Sequence, residues 1–196
     1  MRQSDDRRPR RGQRFARAFS LLALIFLIVA GLIWLRHDLP PVTPPIPLPP
    51  MAQGPLDGKV DHILIEKSAR RMTVFRDGDP LKTYRIALGF APIGDKDREG
   101  DGRTPEGRFR IDRRNGASAY HLSLGLDYPQ PKDISRARAG GYSPGGDIFI
   151  HGQPNSRKGQ PTLMQDWTAG CIAVSDSEIQ ELWAAVEIGT TVEVRP

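Results

Sequence analysis

Beyond Leu56 the chain repeatedly alternates apolar and polar positions, and the alternation breaks at turn-forming residues. Over Val60–Lys67, Val60, His62, Leu64 and Glu66 share one side, and Asp61, Ile63 and Ile65 the other, which predicts a half-buried strand. Arg70–Arg76 and Leu81–Leu88 flank Asp77-Gly78-Asp79, a hairpin signal. Further strands are predicted at Gly107–Arg113, Ala119–Leu126, Asp147–His151, Gly170–Val174 and Thr191–Arg195. The period changes once. Ser175 and Glu178 form a capping box, Ile179, Leu182, Trp183 and Val186 follow at helical spacing, and Gly189 stands where a C-cap would end the helix. A second short helix is predicted near Asp133, through Ser135–Ala139. No longer repeat is visible, which excludes solenoids and propellers. The expectation is a mainly β, α+β domain with one or two helices over residues 56–196.

The first 55 residues follow other rules. From Ala18 to Leu35 no residue is charged and no amphipathic stripe is visible. A helix of that length spans about 27 Å, close to the ~30 Å hydrocarbon core of a bilayer. Arg17 and Arg36 flank the run, and Trp34 suits an interface. A cleaved signal peptide would instead end in small residues, whereas Ile33, Trp34, Leu35 and Arg36 stand there. Residues 36–55 include a stretch, Pro40–Pro50, in which seven of eleven residues are proline. Proline lacks the amide donor and fixes φ, so this linker is expected to be an extended spacer. The organisation is therefore a basic cytoplasmic tail over 1–17, a single-pass anchor in the cytoplasmic membrane over 18–35, a linker over 36–55 and a folded body over 56–196 outside the cytoplasm.

Charge sharpens this reading. The 196-residue chain carries +5, and residues 1–18 hold seven arginines against two aspartates, so the whole excess lies in the tail. The body is neutral and reserves no basic face for phosphates, which excludes nucleic acid as a partner. The tail places the N-terminus in the cytoplasm by the positive-inside rule.

Candidate chemistry lies in the last third. Cys171 is the only cysteine, so it cannot form a disulfide within the chain, and one thiol makes a poor metal site. It stands directly after Gly170, where a substrate carbonyl can approach the backbone, and the amides of Ala169, Gly170 and Cys171 are candidates for an oxyanion hole. Twenty residues earlier His151 ends the apolar run Asp147–Ile150, and a neutral imidazole beside the thiol would favour a thiolate–imidazolium pair. His62, His121 and His151 lack the spacing of a metallopeptidase helix.

His151-Gly152, sixteen intervening residues, then Thr168-Ala169-Gly170-Cys171-Ile172 resembles the active-site signature of the L,D-transpeptidase (YkuD-type) family. Gly102-Arg103-Thr104-Pro105-Glu106-Gly107-Arg108-Phe109 is similar to that family's Thr-Pro-x-Gly segment. The run Asp166-Trp167-Thr168-Ala169-Gly170-Cys171-Ile172-Ala173 is similar to the YafK-like branch. The resemblance implies a β-sandwich catalytic domain acting on peptidoglycan stem peptides without metal or organic cofactor. It implies that Cys171 attacks the carbonyl before D-alanine, that His151 serves as base and then acid, and that the Gly152 carbonyl orients His151. An amine from a second stem would resolve the acyl-enzyme. The same branch includes a hydrolase of the link between peptidoglycan and an outer-membrane lipoprotein, so water as acceptor, with that lipoprotein as partner, is the alternative. A wall-binding module without activity is a third class.

Two positions depart from the family pattern: many members carry histidine where Ala169 stands and arginine where Ala173 stands. Thr168, Trp167, Asp166 and Tyr120 are candidates for substrate contact, Asp166 toward an ammonium group. Tyr120 and His121, on a predicted strand, would face opposite sides, with His121 away from the site. Gly140-Gly141 and Gly145-Gly146 mark either a lid hinge or turns.

Overall fold

In the computed structural model residues 56–196 are described; the expected tail, membrane anchor and proline-rich linker lie outside the described residues. Strand β1 (Val60–Glu66) buries Ile63 and Ile65, as its alternation requires. It pairs antiparallel with β2 (Arg71–Arg76), which pairs with β3 (Asp79–Arg85) through a turn in which Asp77 and Gly78 both take positive φ. On its other side β1 runs parallel to β8 (Val186–Arg195), and β8 pairs with β4 (Gly107–Ser118). Gly107–Arg110 of β4 bond to β8, whereas residues from Ile111 onward bond to β5 (His121–Leu126). Beyond β5 come β6 (Phe149–His151) and, parallel to it, β7 (Ile172–Ala173), giving the order β3-β2-β1-β8-β4-β5-β6-β7.

The sheet curls until its ends meet. Ala87 and Ala173 exchange N–H···O bonds of 2.9 and 2.8 Å, and Thr168 N–H donates to the Leu88 carbonyl at 3.1 Å. The expected sandwich is thus one curled eight-stranded sheet whose two halves share β4. This closure also explains why β3 ends at Arg85 rather than Leu88: the following residues leave β2 to pair with the segment around β7. Inside the curl pack Ile63, Ile65, Val74, Ile111, Leu124 and Ile150, joined by Ile179 and Leu182.

Two helices complete the domain. Helix α1 (Pro131–Gly140) opens on a proline and ends on Gly141 at φ 70°, so the first glycine pair is a helix end. Helix α2 (Asp176–Ala185) has the expected capping box: Ser175 Oγ accepts from Glu178 N–H, and the Glu178 carboxylate accepts from Ser175 N–H at 2.8 Å. Its C-terminus differs from the expectation. Val186 is already extended and starts β8, and Gly189 (φ 95°) sits farther on, where the β1–β8 register slips between Val186 and Thr191.

Candidate active site

The site lies where the curled sheet closes, in a cavity of about 400 Å³ lined by Tyr120, Ser123, Asp147, Phe149, His151 and Cys171, among others. The β6–β7 register sets His151 opposite Ala173 and, extended by one residue, Phe149 opposite Cys171. Side chains alternate along strands, so all four share a face, and Phe149, His151 and Cys171 of that face line the cavity. His151 is buried, and its Nδ1 lies 2.7 Å from the Gly152 carbonyl, which leaves Nε2 as the proton acceptor. Gly152 is small for a reason: a Cβ there would lie 2.6 Å from the Asp176 carboxylate and 3.0 Å from Ile179, at the start of α2. Gln153 continues the brace, its amide N–H donating to Asp176 and its side chain donating to the Val174 carbonyl at 2.6 Å.

Tyr120 belongs to the β4–β5 turn rather than to a strand, because β5 starts only at His121. The turn swings its ring over the imidazole, 4.6 Å between centroids, with Trp167 at 5.7 Å from the same imidazole. His121 takes a positive φ and its Nε2 lies 2.9 Å from Gln180 of α2, away from the cavity.

The loop before Cys171 is shaped by Thr168, whose hydroxyl donates to the Cys171 carbonyl at 2.7 Å and accepts from Gly170 N–H at 3.1 Å. The Gly170 amide is therefore engaged within the loop, and of the three expected oxyanion donors only those of Ala169 and Cys171 remain. Gly170 itself (φ 137°) answers to packing rather than to substrate approach: a Cβ there would meet the Arg103 carbonyl at 2.7 Å. Asp166 is likewise held inside the protein, accepting from Arg70 Nη2 at 2.7 Å and from Leu88 N–H at 2.9 Å. This braces the closing seam and leaves the carboxylate little reach toward a substrate ammonium.

The thiol of Cys171 is partly exposed and donates to the Asp147 carbonyl at 3.4 Å. Burial pushes it above the ordinary thiol range, the Phe149 backbone drawing it back only in part. Burial also pushes His151 below the ordinary imidazole range, against the opposing effect of its bond to Gly152. Both shifts favour the neutral pair over the thiolate–imidazolium pair expected from the sequence, because each ion would be separated from water.

Lys67 and Lys96 gave no sequence signal. Lys67 is buried, and its ammonium donates to the Gly94 and Thr104 carbonyls and to Glu106 at 2.7 Å. Lys96 donates to Asp101 at 2.7 Å. Burial resists ionisation of Asp101, but Lys96 and the amides of Arg103, Asp97 and Arg98 bring its pKa down to about 2. The two lysines stiffen the loop of Asp101, Arg103 and Glu106, which therefore underlies Gly170. Among the described residues, no group of three or more His, Cys, Asp or Glu is placed to hold a metal ion.

The fold is thus a curled sheet that brings a thiol, Cys171, and an imidazole, His151, into one cavity. The sequence profile of the YkuD family, the L,D-transpeptidase catalytic domain, matches residues 60–194, and the chain belongs to this family. It is 28% identical over 137 residues to YafK of Escherichia coli (strain K12), which carries a provisional L,D-transpeptidase name; the match covers 67% of this chain and 49% of YafK. The crystal structure of the helical cell shape determining protein Pgp2 from Campylobacter jejuni is similar with a TM-score of 0.55 and 26% identity, over 71% of this chain and 48% of that one. Bd1075 of Bdellovibrio bacteriovorus shares the fold, with a TM-score of 0.50 and 22% identity over 70% of this chain and 48% of its own. The chain thus spans about half the length of these relatives.

Proposed function

We propose that this chain is a peptidoglycan L,D-transpeptidase that works through an acyl-enzyme on Cys171. The observation that carries the reading is the placement of Cys171 and His151 in one cavity, with Nδ1 of His151 committed to Gly152 and Nε2 left to move protons. His151 takes the thiol proton as Sγ attacks the stem-peptide carbonyl, and the oxyanion is received by the Ala169 and Cys171 amides. The C–N bond to D-alanine breaks, and the imidazolium returns the proton to the leaving amine. An amine of a second stem then attacks the thioester, gives its excess proton to His151, and frees the thiol. Family membership supports peptidoglycan peptides as substrates. The apolar run of residues 18–35, with seven arginines before it, supports a membrane anchor that leaves the domain in the periplasm near the wall.

The test is mass spectrometry of muropeptides after incubation with the purified full-length chain. Tetrapeptide donors should lose D-alanine and appear as crosslinked dimers, in proportion that rises with added acceptor, and Cys171→Ala should give neither product. Tripeptide alone at saturating acceptor would assign hydrolysis instead. Undiminished product from Cys171→Ala would overturn the mechanism.

A further inference from the structure

Arg113 of β4 is drawn to the nucleophile by an irregularity of the sheet. The β4–β5 register runs Ile111↔Leu126 and then Arg113↔Gly125, so Asp112 is an extra residue, a β-bulge. Without it Arg113 would face Leu124 and the core; with it, Arg113 faces the cavity side. The register carries on from Arg113 to Gly125, to Phe149 and, extended by one residue, to Cys171. One row thus crosses four strands.

Gly125 leaves the row open. A Cβ there would lie 2.5 Å from Arg113 Cγ and 2.9 Å from its Nε, so the side chain lies flat across the glycine. Its guanidinium then stacks on Phe149 at 4.5 Å and donates to the Asp147 carboxylate at 3.2 Å. Asp147 is a non-glycine residue held at φ 53°, and its carbonyl accepts from the thiol. Asp112, 2.9 Å from the same guanidinium, fixes the near end.

Resting on the reading of Cys171 as nucleophile, we propose that Arg113 is a positioning residue for it: by clamping Phe149 and the Asp147 carboxylate across Gly125, it holds the carbonyl on which the thiol rests and neutralises the carboxylate beside it. Asp147 opposes the thiolate, and Lys96 and Arg113 favour it, with His151 and Tyr120 the remaining titratable groups that line the cavity. Removing Arg113 leaves Asp147 uncompensated and unclamped.

The test needs no substrate: the rate at which iodoacetamide alkylates Cys171 in the purified full-length chain, followed by mass from pH 6 to 10. Arg113→Gln should move the midpoint upward. A rise of one unit cuts the thiolate fraction about tenfold but raises its nucleophilicity, so the neutral-pH rate should fall about threefold. Asp147→Asn added to Arg113→Gln should restore the rate, and Gly125→Ala, which displaces the guanidinium while keeping its charge, should give a smaller loss. An unchanged rate and midpoint in Arg113→Gln, with Arg113→Lys also unchanged, would overturn the proposal. The readout is independent of turnover, so absence of wild-type activity on peptidoglycan would sink the proposed function and not this inference.

Discussion

Tyr120 holds His151 from two sides: its ring stacks on the imidazole at an interplanar angle of 33°, and its backbone carbonyl accepts from the N–H of Gly152, the residue that orients Nδ1. Only the first contact depends on the side chain. Tyr120→Phe should therefore leave kcat within about twofold, whereas Tyr120→Ala forfeits about 1 kcal/mol of ring contact and should lower kcat about fivefold. Steady-state kinetics of the two variants check this, and equal losses would show that the hydroxyl, not the stack, matters.

The neutral resting pair fixes the shape of the pH profile. The proposed mechanism needs His151 unprotonated and Cys171 protonated, so the acid limb of kcat/KM should follow the lowered imidazole and the alkaline limb the raised thiol. The plateau should extend past the ordinary imidazole value on the acid side and past the ordinary thiol value on the alkaline side. Stability follows the same signs. As pH falls below the ordinary imidazole value the unfolded chain takes up a proton that folded His151 refuses, so stability drops there, and His151→Gln should flatten that part of the curve. Denaturant unfolding at several pH values measures it.

Thr168 makes two bonds with one hydroxyl, to the Cys171 carbonyl and from the Gly170 amide. Thr168→Val keeps the shape and leaves both buried backbone groups unmet, a loss of about 2 kcal/mol. The released Gly170 amide also relaxes the oxyanion loop, so kcat should fall with stability. Thr168→Ser should recover both, as read by thermal unfolding and turnover together.

Lys67, directly after β1, ties that strand to the loop beneath Gly170 through Gly94, Thr104 and Glu106. Lys67→Met leaves the Glu106 carboxylate without its ammonium and should cost about 3 kcal/mol. Hydrogen exchange should rise first over residues 94–106, and alkylation of Cys171 should become more variable with temperature. Protection confined to its wild-type pattern would contradict the role.

The parts of this molecule legible in the sequence are those with local causes. The hairpin at Asp77-Gly78 and the Ser175–Glu178 cap are set by residues a few positions apart. The spacing of His151 and Cys171 carried both into a single cavity because β6 and β7 are each short and lie side by side. What escaped was set by distant partners. Nothing near Asp166 announces that Arg70, on the far side of the sequence, will take its carboxylate, and nothing near Gly170 announces the Arg103 carbonyl pressed against it. The end of α2 was misplaced for a related reason: pairing of Val186 with Val60 draws the chain into β8 before a glycine cap is needed.

The closing seam also orders events in time. β7 has only two residues and is held by β6 on one side and by Ala87 on the other, and Ala87 is remote from it in the chain. Joining such distant segments is the slow, late part of acquiring a fold. By that order a newly made chain would bring its cysteine beside His151 only once the rest of the sheet had formed, so the site would be assembled as the last act of folding.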